Sequence, residues 1–285
     1  VKPAPFTLHR PDRIEDALAL LSAESAADVK IIAGGQSLVP LMNLRMATPA
    51  VVVDLGRIKA LQEIRVADGF LVLGAMTRQS ALLDDERIAR HAPLLRIAAA
   101  HIGHVQTRAR GTVGGSLAHG DPAAELSTTM VALDAVFTLR SARGIRKIPA
   151  RRFYAGFLAT ELAEDELLCD IAIPCAVAES RVAFRELARR HGDFAIVSVA
   201  AHAWPHEGVW TISACLGGVE PVPHLCAALS HPATTDPLMP AALAEFVRHE
   251  IETLDPISDI HASGPYRRQL AQVLLAQCLA DVVAA

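Results

Sequence analysis

Lys30-Ile31-Ile32-Ala33-Gly34-Gly35-Gln36-Ser37-Leu38 is the stretch from which the fold can be read. It has a distant counterpart in Gly111-Thr112-Val113-Gly114-Gly115-Ser116-Leu117-Ala118-His119-Gly120-Asp121-Pro122. In the first, the apolar run from Val29 to Ala33 reads as a short buried strand that stops at two glycines, where φ is unrestricted. Backbone N–H groups bared in a concave turn bind phosphate oxygens, and glycine leaves their approach open. Gln36 and Ser37 add side-chain donors. Taken alone, a Gly-Gly after a strand is more often an ordinary tight turn, but its recurrence at Gly114-Gly115 points to an anion held by both. Neither stretch follows G-x-G-x-x-G or G-x-x-x-x-G-K-[ST], so the usual dehydrogenase dinucleotide fold and the P-loop lack support.

The 285 residues suffice for a sizeable core and more than one compact unit. A net charge of -4 gives no electrostatic footprint for nucleic acid, and no polybasic segment addresses a membrane surface. The hydrophobic content of 52% is broken throughout by charges and never reaches the length of a membrane span. The start, Val1-Lys2-Pro3-Ala4-Pro5-Phe6, lacks the apolar core of a signal peptide, and a cytoplasmic location is expected. Cys169, Cys175, Cys215, Cys226 and Cys278 are odd in number and never in C-x-x-C spacing. They read as reduced, mostly buried thiols, without a disulfide framework, zinc site or iron–sulfur site.

Along the chain, Asp12 and Glu15 open a helix whose face is Ile14, Ala17, Leu18 and Leu21. Strands are expected at Val51–Val53, closed by Asp54, and at Phe70–Ala75. Thr77 is expected to cap a helix through Leu83, and Pro93 to open a helix to about His101. Asp121-Pro122-Ala123-Ala124-Glu125 reads as a helix start, with Asp121 as N-cap. Val136–Leu139 and Leu167–Ile173 read as strands, Pro174 breaks the pattern, and Cys175–Ser180 is the expected domain boundary. Beyond it come strands Val182–Leu187, Ile196–Ala203 and Val209–Leu216, with Glu207-Gly208 as the last hairpin turn. A loop from Glu220 to Pro237 and helices over Pro240–Leu254 and Pro265–Val283 finish the chain. The expected packing is an antiparallel sheet with helices on one face.

Other candidate chemistry is thin. His101 and His104 have no nearby carboxylate in sequence and no third zinc ligand. No G-x-S-x-G or activated nucleophile is legible. Asp84-Asp85-Glu86 and the run Glu161, Glu164, Asp165 and Glu166 read as solvated charge. Arg108 and Arg110 could hold a pyrophosphate or a carboxylate, or be surface arginines.

Ala33-Gly34-Gly35-Gln36-Ser37-Leu38 and Thr112-Val113-Gly114-Gly115-Ser116, with Asp121-Pro122-Ala123-Ala124-Glu125, resemble the FAD-binding medium subunit of molybdenum hydroxylases. This is the flavoprotein subunit of the aerobic carbon monoxide dehydrogenase and xanthine dehydrogenase family. Arg189-Arg190-His191-Gly192-Asp193-Phe194-Ala195 and Tyr266-Arg267-Arg268 extend the likeness over nearly the whole chain. The resemblance implies an α+β fold: a two-subdomain FAD-binding domain of the PCMH type at 1–176, with subdomains about 1–55 and 56–176. A C-terminal antiparallel sheet with helices, like that of the CO dehydrogenase flavoprotein, follows at 177–285.

It further implies that Ala33, Gly34, Gly35, Gln36 and Ser37, with Leu38 beside them, and Thr112, Gly114, Gly115 and Ser116 hold the FAD pyrophosphate. Glu125, with Asp121 nearby, matches an acidic contact on the adenosine side. Ile102 matches a position near the isoalloxazine, Leu168 an apolar position near FAD, and Phe194 an aromatic covering one flavin face. Arg185 would stand in for the charge of a lysine found in some relatives. No catalytic residue or metal ligand is implied on this chain. The implied role is electron relay: a large partner subunit carries the molybdenum cofactor, a small partner carries two [2Fe-2S] clusters, and FAD here collects the electrons for a quinone, NAD or oxygen. A dimer of such heterotrimers is the implied assembly. Two competing readings are a stand-alone FAD-dependent oxidase or dehydrogenase acting directly on a small organic substrate, and a scaffold that has lost FAD.

Overall fold

The computed structural model describes residues 2–23, 28–232 and 240–284. The chain begins with β1 (Thr7–His9), α1 (Ile14–Ala23), β2 (Val29–Ile32), α2 (Leu38–Asn43) and β3 (Val51–Asp54), whose strands form a parallel sheet in the order β1-β3-β2. Val51, Val52 and Val53 are buried because β3 is the central strand. Helix α1 buries Ala17, Leu18 and Leu21, the face set by their spacing. β1 gives no sequence signal because Thr7-Leu8-His9 is a largely exposed edge.

Next come β4 (Ile64–Ala67), β5 (Phe70–Gly74), α3 (Ala81–Asp84), α4 (Glu86–His91), α5 (Pro93–Ala99), α6 (Val105–Arg110), α7 (Val113–His119) and α8 (Glu125–Ala132). They are followed by β6 (Val136–Ser141), β7 (Gly144–Pro149), the short pair β8 (Tyr154–Gly156) and β9 (Ala159–Thr160), and β10 (Leu167–Pro174). The antiparallel sheet β4-β5-β10-β6-β7 has β10 returning to its centre. Its core packs Leu71, Leu73, Phe137 and Ile171 against Leu94 of α5 and Leu126 and Met130 of α8.

Two helix starts differ from expectation. Thr77 caps nothing: α3 begins at Ala81 after Ser80, and the Thr77 carbonyl instead accepts the Val113 N–H at 2.9 Å. Asp121 is not an N-cap either. Its carboxylate accepts the Ala123 N–H at 2.8 Å, closing a turn, and α8 starts only at Glu125 behind Ala124. Short-range acceptors such as Asp serve turns and caps equally well, and the local sequence does not decide between them.

The last part comprises β11 (Arg181–Ala188), β12 (Ala195–His206), β13 (Val209–Gly217), β14 (His224–Leu225), β15 (Leu229–Pro232), α9 (Pro240–Thr253) and α10 (Gly264–Ala284). Glu207 and Gly208 both have positive φ, at 48° and 77°, as the expected two-residue hairpin requires. β14 and β15 lie within the expected Glu220–Pro237 loop, of which residues 233–237 fall outside the described residues. The helix α10 that follows this sheet packs on one face, as expected, and α5 and α8 of the preceding part cover the other. Val197, Val199 and Ala201 of β12 face Ala271, Leu275 and Cys278 of α10, whereas Phe184, Ala200 and Cys215 join the core built around α5 and α8. Double coverage is why β12 is buried without a break from Ala195 to Ala201, with Ser198 its one polar residue there. Among the described residues no helix is long and apolar enough to cross a membrane.

Candidate functional site

A cleft of about 720 Å³ lies between the turn after β2, helix α7, the segment from Leu158 to Leu168, and the loops at Ile102 and at Gly192–Phe194. It gathers every residue expected to hold the cofactor except Arg185: Ala33 to Leu38, Ile102, Thr112, Gly114, Gly115, Ser116, Asp121, Glu125, Leu168 and Phe194 all line it. Arg185 is elsewhere. Its guanidinium pairs with Asp281 of α10 at 2.8 Å on the surface, which removes it from the site.

The two glycine stretches do different work. After β2 the chain turns at Gly35, whose φ of 74° favours glycine. Among the described residues, no acceptor takes the N–H groups of Gly35, Gln36 or Ser37, so this turn presents free donors at the cleft. The second stretch is not a turn but the first turn of α7. Thr112 is its N-cap and accepts the Gly115 N–H at 3.1 Å, the Val113 and Gly114 N–H groups go to Thr77 and Ala75, and Ser116 donates back to Thr112. Its backbone donors are therefore consumed inside the protein, and what α7 offers a ligand is side chains, those of Ser116 and His119.

Packing explains the glycines there. A Cβ on Gly114 would fall 2.8 Å from the Ala75 Cα and carbonyl oxygen, and one on Gly34 would fall 2.8 Å from the Gly111 Cα. A Cβ on Gly115 would meet the Thr112 hydroxyl at 2.7 Å and Ala33 at 3.2 Å. Gly34 and Gly115 let the two stretches touch each other, and Gly114 lets the second touch the backbone after β5; the sequence pattern alone does not distinguish this from making room for a phosphate.

The arginines before α7 also serve the frame. Arg108 donates to the carbonyls of Ile102 and Gly103, at 2.6 and 3.0 Å, and so holds the loop that carries Ile102. Arg110 lies behind the Gly34-Gly35 turn in a separate depression with Arg10, Arg57 and Arg78. Glu166 is not solvated: it is buried at the cleft wall, where Arg146 holds both its oxygens at 2.6 Å. Gln79 was not legible as a site residue. It is buried, lines the cleft, and its Oε1 has no partner among the described residues. Gly192, with φ of 87°, packs against the His104 ring, and Phe194 beside it stands 66% exposed at the rim.

Glu125 is the unusual charge. Burial pushes its carboxyl up to about 7; its own backbone N–H opposes this, Glu186 and Asp121 push it further up, and His101 pulls it down. His101 does have a carboxylate partner, in space though not in sequence: its Nδ1 is 3.3 Å from Glu186, a hydrogen bond that raises the imidazole above its ordinary value. Folded Glu125 keeps its proton to about pH 7, whereas the unfolded carboxyl loses it near 4.5. Between those values the native chain binds more protons, so stability falls as pH rises through the window. Glu125→Gln should abolish that slope, making the flavin-free chain more stable than wild type at pH 8 by up to roughly 3 kcal/mol, with no difference near pH 4. Urea unfolding at both pH values measures this, and a difference independent of pH would refute a buried, protonated Glu125.

Comparison with known proteins supplies the context. Residues 4–176 match the family model of the FAD binding domain in molybdopterin dehydrogenase, and residues 182–282 that of the CO dehydrogenase flavoprotein C-terminal domain. The 6-hydroxypseudooxynicotine dehydrogenase complex subunit alpha of Paenarthrobacter nicotinovorans is 38% identical over 287 residues, covering 99% of this chain and 96% of that protein. A carbon monoxide dehydrogenase structure from Hydrogenophaga pseudoflava superposes with a TM-score of 0.92 at 31% identity, covering 100% of this chain and 99% of that one. Quinoline 2-oxidoreductase from Pseudomonas putida 86 gives 0.91 at 32% identity, with the same coverage.

Proposed function

Because this chain belongs to the FAD-binding medium subunits of the molybdenum hydroxylases, we propose that it is the electron relay of such a complex. A small partner subunit with two [2Fe-2S] clusters delivers electrons to it, a large partner with the molybdenum cofactor oxidises the substrate, and a quinone, NAD or oxygen takes the electrons away. The heterotrimers pair into a dimer in the cytoplasm, a reducing compartment that suits five free cysteines. In this reading residues 1–176 carry the flavin and 177–285 brace it.

The observation that carries the reading is the cleft, which collects free backbone donors, apolar walls and an orphaned acceptor in one place. FAD fits that set. The N–H groups of Gly35, Gln36 and Ser37, with the Ser116 hydroxyl, would hold its phosphates. Ile102, Leu168 and Phe194 supply apolar surface for flat rings, and the Gln79 Oε1 accepts a hydrogen bond from whatever N–H or O–H comes opposite it. When bound, FAD supplies a carrier that accepts electrons singly or in pairs. The chain's own task is to hold that carrier and leave an edge open, and the exposed Phe194 marks the open rim.

Native mass spectrometry of the complex purified from its own cells, with a visible spectrum of the same sample, tests this. FAD on this chain together with a large molybdenum subunit and a small iron–sulfur subunit is the expected result. A lone chain whose flavin is bleached directly by a small organic substrate would replace the relay with an oxidase, and a lone chain without flavin would overturn both.

A further inference from the structure

Outside the cleft, the segment after β13 brings together side chains whose types bind metals. His224 and Cys226 are two apart on an extended segment, which puts both on one side, and Glu250 comes from α9. Their donor atoms all lie within 4.8 Å of one another. None of the three lines the cleft.

The arrangement is oriented. His224 Nδ1 is 3.2 Å from Glu220 Oε2, and the other Glu220 oxygen accepts the Asp255 N–H at 2.8 Å, so the ring is pinned from behind. That leaves His224 Nε2 facing Glu250, 3.8 Å from its Oε2. Glu250 is only 4% exposed, and among the described residues its carboxylate accepts the Ala227 N–H at a long 3.3 Å and the thiol hydrogen of Cys226. One long N–H and a weak thiol donor are slender partners for a buried carboxylate, and a cation taking the place of the thiol proton would meet the carboxylate and the sulfur together. Cys226, 5% exposed, adds a sulfur to the same point.

We propose that His224 Nε2, Cys226 Sγ and the Glu250 carboxylate bind a zinc ion that fastens β14 to α9. Sulfur and imidazole ligands select zinc over the oxygen-seeking magnesium and calcium. Three protein ligands leave one position of a tetrahedron for water. Glu220 does not ligate; it orients His224 through the other ring nitrogen, as carboxylates behind metal-bound histidines do. No sequence motif signals this, since no C-x-x-C is present and Glu250 is brought to the site by a helix, α9, that packs against α10.

The full chain, dialysed against Zn²⁺ and desalted, should retain an equimolar amount of zinc by elemental analysis. Co²⁺ in its place should give the near-ultraviolet thiolate-to-metal band and the visible bands of a tetrahedral site. Cys226→Ser should abolish the near-ultraviolet band, and Glu220→Gln, which removes no ligand, should weaken zinc binding about tenfold to a hundredfold. His224 is half-buried, so His224→Gln keeps the test decisive should the buried cysteine variant fail to fold; it should lose zinc as well. Absence of retained zinc in the folded wild type, a cobalt–thiolate band surviving Cys226→Ser, or wild-type zinc affinity in His224→Gln would each overturn the proposal.

Discussion

Gly114→Val is expected to yield a chain that fails to assemble its cleft, whereas Gly35→Ala should fold and fail to keep FAD. The added Cβ at Gly114 meets the Ala75 backbone 2.8 Å away, where the Gly114 N–H is itself bonded to the Ala75 carbonyl at 2.8 Å. Backbone on both sides cannot yield as a flexible side chain would, so the cost should be about 3 kcal/mol or more. At Gly35 the nearest atom to an added Cβ is the Val39 Cγ2 at 3.3 Å, and the penalty is chiefly that of a φ of 74°, about 1–2 kcal/mol. Relaxing that strain would rearrange the turn whose Gly35, Gln36 and Ser37 N–H groups are free at the cleft. Thermal unfolding and bound flavin per chain separate the two effects. A folded Gly35→Ala chain with a full complement of FAD would remove the turn after β2 from the site.

Arg267→Ala should cost about 3–5 kcal/mol, although Arg267 lines no part of the cleft. The side chain is 3% exposed and donates to the carbonyls of Ile196 and Gly218, at 2.5 and 2.7 Å, and to Asp259 at 2.7 Å. Alanine would leave those two carbonyls without their donor at the place where β12 starts and β13 ends. Gly218 in turn donates to the Pro122 carbonyl at 2.7 Å, inside the turn that carries Asp121 into the cleft. Loss of stability should therefore be accompanied by weaker flavin retention. Lys should restore less than half of the loss, because it cannot fork between separate acceptors as a guanidinium does. Denaturant unfolding of the three proteins decides it, and an alanine variant within about 1 kcal/mol of wild type would show that the hub is not needed.

The neighbouring Arg268 has the same architectural character. It donates to the carbonyls of Ile251 and Leu254 at the C-terminal end of α9, at 2.6 and 2.7 Å. The Tyr266-Arg267-Arg268 motif thus contributes to the family likeness through the fold and has no contact with the cleft.

Local elements and the family were legible along the chain: the helix face of Ala17, Leu18 and Leu21, the Pro93 helix start, the Glu207-Gly208 hairpin, and the two glycine stretches that carry the resemblance. Those signals rest on spacing and on backbone freedom, which neighbours along the chain fully specify. Packing in three dimensions settles which glycines bare N–H groups and which merely admit another stretch of backbone, since Gly35 and Gly114 look alike until Ala75 is placed against one of them. It alone drew Arg185 away to Asp281, gave His101 its Glu186, buried Glu166 under Arg146 and Glu125 in the cleft wall, and carried Glu250 to His224 and Cys226. Each of those outcomes depends on a charge meeting a partner or losing water, and both are settled by residues far away in the chain.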